Sequence, residues 1–176
     1  VNGQLVGEDS VPITTERSFN SETVTFEATY PLTIAIEAKD FKETDSGIEY
    51  IGKNNQQMGD GGIIAQFTDI QTGEVVAVTS DSWKALVIHR APLNTSCEKS
   101  SNPDTDCQFE SEDAPSGWTN AEYNDANWVN ATTWTESQVS PKDGYDTVSW
   151  DTNAQLVWGS DLEIDNTVLL RTIIPN

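Results

Sequence analysis

Hydrophobic and polar residues alternate along much of this chain, and few stretches show any other order. Over Glu22–Thr29, Val24, Phe26 and Ala28 are separated by Thr25 and Glu27, the period of two that predicts a half-buried strand. After Tyr30-Pro31 the same period continues in LTIAIEAKDF, where Leu32, Ile34, Ile36 and Ala38 face one way. Pro31 cannot donate to a ladder, so it suits the start of that strand. Lys42 to Gly62 is polar and punctuated by glycine, and predicts a long connection. Ile63–Thr68 and Glu74–Thr79, joined through Gln71-Thr72-Gly73, predict a hairpin. Trp83–His89 and Thr167–Ile174 carry apolar residues on both faces, which predicts central strands covered on both sides, and Gln155–Trp158 predicts a further short one.

No ten-residue stretch has helical periodicity. About eight strands, polar turns and no helices predict an all-β chain folded as a two-sheet antiparallel β-sandwich, most simply a jelly roll. Its 176 residues suit one domain, with 1–20 as an N-terminal edge segment or tether and 21–176 as the domain proper. The first residues contain neither a basic nor an apolar leader segment, so any signal peptide is expected to have been removed already or never to have been part of this sequence.

Charge narrows the possible partners. There are 29 acidic residues against 9 basic ones, a net charge of −20. Such a surface repels phosphate backbones and anionic lipid, which argues against nucleic acid and membrane surfaces as partners. No apolar run approaches the length needed for membrane insertion. The acidity fits either a highly charged, well-solvated surface or carboxylate oxygens gathered for a divalent cation. Cys97 and Cys107 flank a polar segment, which predicts a disulfide and a secreted, extracellular setting. Asn94-Thr95-Ser96 and Asn130-Ala131-Thr132 have the form of glycosylation sequons.

The densest feature is Gly117–Trp134, which holds three of the six tryptophans. Within it, Gly117-Trp118 followed by Tyr123-Asn124-Asp125-Ala126-Asn127-Trp128 resembles the GW…FDDSSW motif of galactose-binding-like jelly rolls, the accessory modules of glycosidases and other extracellular proteins. Three further stretches agree in order: LTIAIEAKDF, Thr79-Ser80-Asp81-Ser82-Trp83-Lys84, and Val157-Trp158 followed by Leu170-Arg171. Tyr-Asn stands where the motif has Phe-Asp, and the Cys97–Cys107 excursion is an insertion. The resemblance spans Ser21 to Ile174 and makes Trp128 architectural. It also implies one structural calcium between a loop and a terminal strand, with Asp40, Asp60, Asp161, Glu163 and Asp165 as candidate donors and Asp143 and Asp146 as a second group.

Catalysis finds little support. The one histidine, His89, falls inside a strand pattern, so a nucleophile–base triad has no obvious base. A carboxylate pair about 5–10 Å apart could hydrolyse a glycoside, but no pair stands out among so many acids. Sugar recognition combines exposed aromatic rings with polar partners. Trp118, Trp134, Trp150 and Tyr145 lie in loop-like sequence and are the candidate carbohydrate contacts. The expectation is therefore a non-catalytic carbohydrate-binding module. The alternative is a structural or adhesive subunit of an extracellular assembly such as a filament, sheath or surface layer, working by self-assembly or within a larger parent protein.

Overall fold

The computed structural model describes residues 1–175. In chain order the strands are β1 (Leu32–Lys39), β2 (Ile48–Glu49), β3 (Gln57–Met58), β4 (Gln66–Thr68), β5 (Val75–Val78) and β6 (Lys84–Arg90). There follow helix α1 (Pro103–Asp106), β7 (Glu110–Ser111), β8 (Val129–Asn130), β9 (Thr132–Trp134), helix α2 (Glu136–Val139), β10 (Leu156–Trp158) and β11 (Asp165–Ile174). The protein is all-β and its strand pairings within sheets are antiparallel. The two helices are single turns, too short for any periodicity to reveal, and they correct the expectation of none.

One curled sheet dominates, with the order β1-β11-β6-β7 and with β8 pairing β6 alongside β7. The last strand is central: β1 runs against it from Leu32↔Ile174 to Lys39↔Thr167. On its other side Leu169 faces Leu86 and Arg171 faces Lys84. Both-face burial of β11 follows from that position, as its apolar pattern predicts. Leu32, Ile34 and Ala38 of β1, Ala85 of β6, and Val168 and Leu170 of β11 point into one core. Trp83, Ala131, Val157 and Trp158 complete that core, with Ile63, Phe67, Ala77 and Trp134 packed around it. These last residues come from or beside two small two-stranded sheets, the β4–β5 hairpin and the β9–β10 pair.

Two expectations for strands need correction. Glu22–Thr29 is not in a strand, and Val24 is exposed. No strand pairs with it, and the outer edge of β1 is met instead by Asn2, whose backbone N–H donates to the Thr33 carbonyl at 2.9 Å and whose Oδ1 accepts from the Thr33 N–H at 2.7 Å. Conversely, the connection 42–62 contains the β2–β3 hairpin, paired at Ile48↔Met58 and Glu49↔Gln57. Two-residue strands are too short to show alternation. The N-terminal segment lies against the body: Phe19 donates to the Asp143 carbonyl, Lys142 donates to the Arg17 carbonyl, and Thr14 donates to the Asp143 carboxylate.

Cys97 and Cys107 are joined in a disulfide with Cα atoms 5.4 Å apart. With Ile48 they form a second small core, against which Ile51 and Met58 pack. The disulfide loop thus anchors the β2–β3 hairpin. No helix among the described residues is long and apolar enough to cross a membrane.

Candidate functional site

Three acidic residues meet where β1 ends beside the β2–β3 hairpin. Asp40 follows β1, Glu49 is the second residue of β2, and Asp60 lies two residues beyond β3. Each offers a carboxylate oxygen, and these oxygens lie within 4.8 Å of one another. Glu49 is fully buried, and Asp40 and Asp60 are half-buried. The backbone at Asp60 donates to Asp40 Oδ2 at 3.0 Å, and the Gln57 amide bridges Glu49 Oε2 at 2.9 Å and Asp60 Oδ2 at 3.2 Å. Arg17 Nε stands 3.3 Å from Asp60 Oδ2. Gly59 makes this approach possible, since a Cβ there would overlap Asp40 Oδ2.

Burial raises the pKa of every member. The Asp40 carboxyl is pushed well above its ordinary value by desolvation and then by the charges of Glu49 and Asp60. Glu49 is raised to about 7, chiefly by desolvation, with the Gln57 hydrogen bond opposing. Asp60 is also raised by desolvation, and Arg17 opposes this. One guanidinium does not balance three carboxylates. A site that crowds anionic oxygens in this way suits a hard cation.

Two grooves flank the cluster. The larger, an open trough of about 800 Å³, is lined by Asp40 together with Glu37, Lys39, Phe41, Asp45, Ile88, His89, Glu112 and Thr167 among others. Glu37, Lys39, Thr167 and Ile88 alternate with the core-facing residues Ile36, Ala38, Val168 and Val87, so this trough lies over the sheet face opposite the core. The smaller, about 200 Å³, is lined by Arg17, Gln57, Met58, Gly59, Asp60, Glu98 and Glu163. His89 is buried in the wall of the large groove, donates from Nδ1 to Asn166 Oδ1 at 3.0 Å, and stacks on Phe109. Burial, followed by the charge of Lys42, lowers its pKa.

Of the five acids expected to bind metal, the fold brings Asp40 and Asp60 together and adds Glu49. Asp165 is wholly buried and its carboxylate is engaged on both oxygens, by Arg90 Nε at 2.9 Å and by the Asp161 backbone at 3.0 Å. Asp161 Oδ1 accepts from the backbones of Glu163 and Ile164. Glu163 lines the small groove beside Asp60. In the second group, Asp143 Oδ2 is taken by Thr14. Glu49 escaped the sequence because it sits in a hairpin that reads as loop; the glycines at 47, 52 and 59 around Ile48-Glu49 and Gln57-Met58 were the available signal.

The four aromatic candidates fall in three neighbourhoods. Trp134 is half-buried against the core, and its indole N–H donates to the Gly159 carbonyl at 3.2 Å. Trp150 donates to the Tyr145 carbonyl, and the two rings lie 6.4 Å apart, with Phe19 edge-on to Tyr145. Trp118 packs on buried Trp128, which also meets Tyr123. None of the four lines either groove. Each ring has a packing or hydrogen-bonding task that pins a loop.

No protein-family model, curated protein or solved structure matches this chain. The reading of its function therefore rests on its own geometry.

Proposed function

We propose that this chain is a non-catalytic carbohydrate-binding module of an extracellular protein, built as a galactose-binding-like jelly roll, with the saccharide held in the large groove over the outer sheet face. The observation that carries the proposal is the composition of that groove. Sugars present hydroxyl edges that both give and take hydrogen bonds, and C–H faces that pack on apolar rings. The trough supplies acceptors in Glu37, Asp45 and Glu112, donors in Lys39 and Lys42, and apolar surface in Ile88 and the half-exposed ring of Phe41. Its volume of about 800 Å³ suits a short oligosaccharide rather than a single small ion.

Binding without turnover is supported by His89. Its ring is fixed by Asn166 and Phe109, it meets Asp45 only at 3.7 Å, and no serine or threonine hydroxyl hydrogen-bonds to it among the described residues. The disulfide is consistent with an oxidising, extracellular setting.

The test is a glycan array followed by affinity electrophoresis on polysaccharides. The wild-type domain should select a defined saccharide, and Phe41→Ala and Glu112→Ala should each weaken it at least tenfold. If no saccharide binds, and light scattering instead shows concentration-dependent assembly, the domain is an assembly subunit and the groove reading is discarded.

A further inference from the structure

The outer edge of β1 is only partly closed. Leu32, Ile34, Ile36 and Ala38 turn their backbone groups toward β11, a series that the Asp40 N–H continues onto the Asn166 carbonyl, and the residues between them turn theirs away. Asn2 takes both outward groups of Thr33. Beyond that point the outward N–H and C=O groups of Ala35, Glu37 and Lys39 have no hydrogen-bond partner among the described residues. The strand also lacks the devices that protect an edge. It contains no proline, it pairs with β11 from Leu32 to Lys39 without a register shift, and its one lysine, Lys39, is neutralised by Glu37 at 2.8 Å. On the core face Ile36 stays half-buried at this open edge, between buried Ile34 and Ala38.

The same chain carries a strand-like segment with nothing to pair with. In Glu22–Thr29, Val24, Phe26 and Ala28 alternate with Thr23, Thr25, Glu27 and Thr29, and no proline or glycine interrupts them. From Glu22 through Ala28 it makes no backbone–backbone hydrogen bond. Ser10 donates its N–H and its hydroxyl to the Glu22 carboxylate, and Val24 rests against Gly7, yet Val24 remains 42% exposed. Its own β1 edge is closed to it. Joined to β1 through Tyr30-Pro31, the segment would have to pass Thr33 first, and there Asn2 stands, holding Thr33 and donating from Nδ2 to the Thr29 carbonyl at 3.0 Å.

We infer that Glu22–Thr29 of one copy adds as a strand to the Ala35–Lys39 edge of a second copy of this chain. In the parallel sense Thr23, Thr25 and Glu27 fall beside Ala35, Glu37 and Lys39, which brings Glu27 to the one cation of that edge. Val24 and Phe26 then lie on the core face and cover Ile36, so apolar surface left open in the single chain is buried between copies. The ladder supplies partners for the outward groups of Ala35, Glu37 and Lys39. Donor segment and acceptor edge are different surfaces, so each copy gives one strand and receives one. Such a contact builds open chains of copies or closes as a ring. The net charge of −20 opposes the approach of two copies, and salt, by screening that repulsion, strengthens the association. This inference goes beyond the saccharide proposal and does not depend on what the large groove takes.

Sedimentation velocity on the full chain, over a concentration series in low and in high sodium chloride, tests it together with cross-linking. Wild type should associate as concentration rises, and more strongly in high salt. Val24→Pro, in the exposed donor segment, and Glu37→Pro, which removes an outward N–H without touching the β11 ladder, should each weaken association at least tenfold. Ile70→Asp, at an exposed apolar residue outside the contact, should leave it within twofold. The native cysteines are already paired, so Thr25→Cys and Glu37→Cys chains can be mixed under mild oxidation. The mixture should form a cross-link between copies faster than either variant alone, and this arm decides the matter where Glu37→Pro melts below wild type. Wild type that stays monomeric in high salt, Val24→Pro that associates as wild type does, or a mixture that cross-links no faster than its components would overturn the inference. A monomer that binds glycan would keep the saccharide proposal and discard this one.

Discussion

The guanidinium of Arg171 lies 5.3 Å from the centre of the Tyr123 ring. Its Nε donates to Asp125 Oδ2 at 2.9 Å, and its Nη1 donates to the backbone carbonyls of Trp118 and Asn120. Arg171 is wholly buried in the central strand, while its partners all belong to the tryptophan-rich loop. Two stretches far apart in sequence are thereby joined by one side chain. That loop is held to the sheet face by a charge that has nowhere else to go.

Arg171→Met removes the cation and leaves Asp125 and two carbonyls without their donor. The expected loss is about 3 kcal/mol or more, since breaking a buried charged network costs far more than a surface pair contributes. Urea unfolding of the variant against wild type measures it. A change under about 0.5 kcal/mol, the size of an ordinary surface substitution, would mean the loop is held by its aromatic packing alone.

Reduction of the Cys97–Cys107 disulfide, or the double change to serine, should lower stability by roughly 2–3 kcal/mol on the loop-closure estimate. Because Ile48 and Met58 pack on this bridge, amide exchange should rise first in the β2–β3 hairpin. Exchange confined to the disulfide loop itself would contradict the anchoring role.

Gly59→Ala places a methyl group on the Asp40 carboxylate. A clash of this kind costs about 1–3 kcal/mol in a packed site. If calcium is held at this cluster, the same variant should bind it more weakly than wild type, because Asp40 must move. Calorimetry on folded variant protein, judged folded by its near-ultraviolet spectrum, reads both effects.

In chelator, stability should depend on pH through the acidic cluster. Glu49 has a folded pKa of about 7 against an ordinary value of 4.5, so the fold favours its protonated form. That contribution is complete below 4.5 and is lost as pH rises through 7, and the raised pKa values of Asp40 and Asp60 act in the same direction. Melting temperature in chelator should therefore fall between about pH 5 and pH 8, and Glu49→Gln should shrink the fall. A flat profile would show that the three groups are not crowded in solution.

Trp134 packs on the core, so Trp134→Ala should cost about 2–4 kcal/mol of stability, somewhat less than a fully enclosed tryptophan. If the saccharide lies in the groove, that variant and Trp150→Ala should bind glycan as wild type does. Loss of glycan affinity in a folded Trp150→Ala protein would move the binding site to the Tyr145–Trp150 pair.

Much of the architecture was legible in the chain. Alternation in Leu32–Lys39 and the two-faced apolar runs at 84–90 and 167–174 mark the three long strands, because a strand's side chains must follow the pleat wherever it sits. The two cysteines declare their disulfide through the polarity of what they enclose. Exposure was not legible. Trp118, Trp134 and Trp150 stand among turn residues, and a loop that folds back on the body buries its aromatics as readily as a strand does. Nor could sequence tell that Glu22–Thr29, with its clear alternation, would stay unpaired while Asn2 meets the outer edge of β1.

Composition and periodicity thus determined that this is an acidic, antiparallel, disulfide-bonded β protein, since those properties are carried by each stretch locally. Only the tertiary structure decided which acids meet. Asp40, Glu49 and Asp60 lie at three separate points in the chain, and Asp161 and Asp165 look equally suitable until Arg90 and nearby backbone amides claim them. The proximity of charges depends on strand order and register, which are global properties, and no local pattern in the sequence records them.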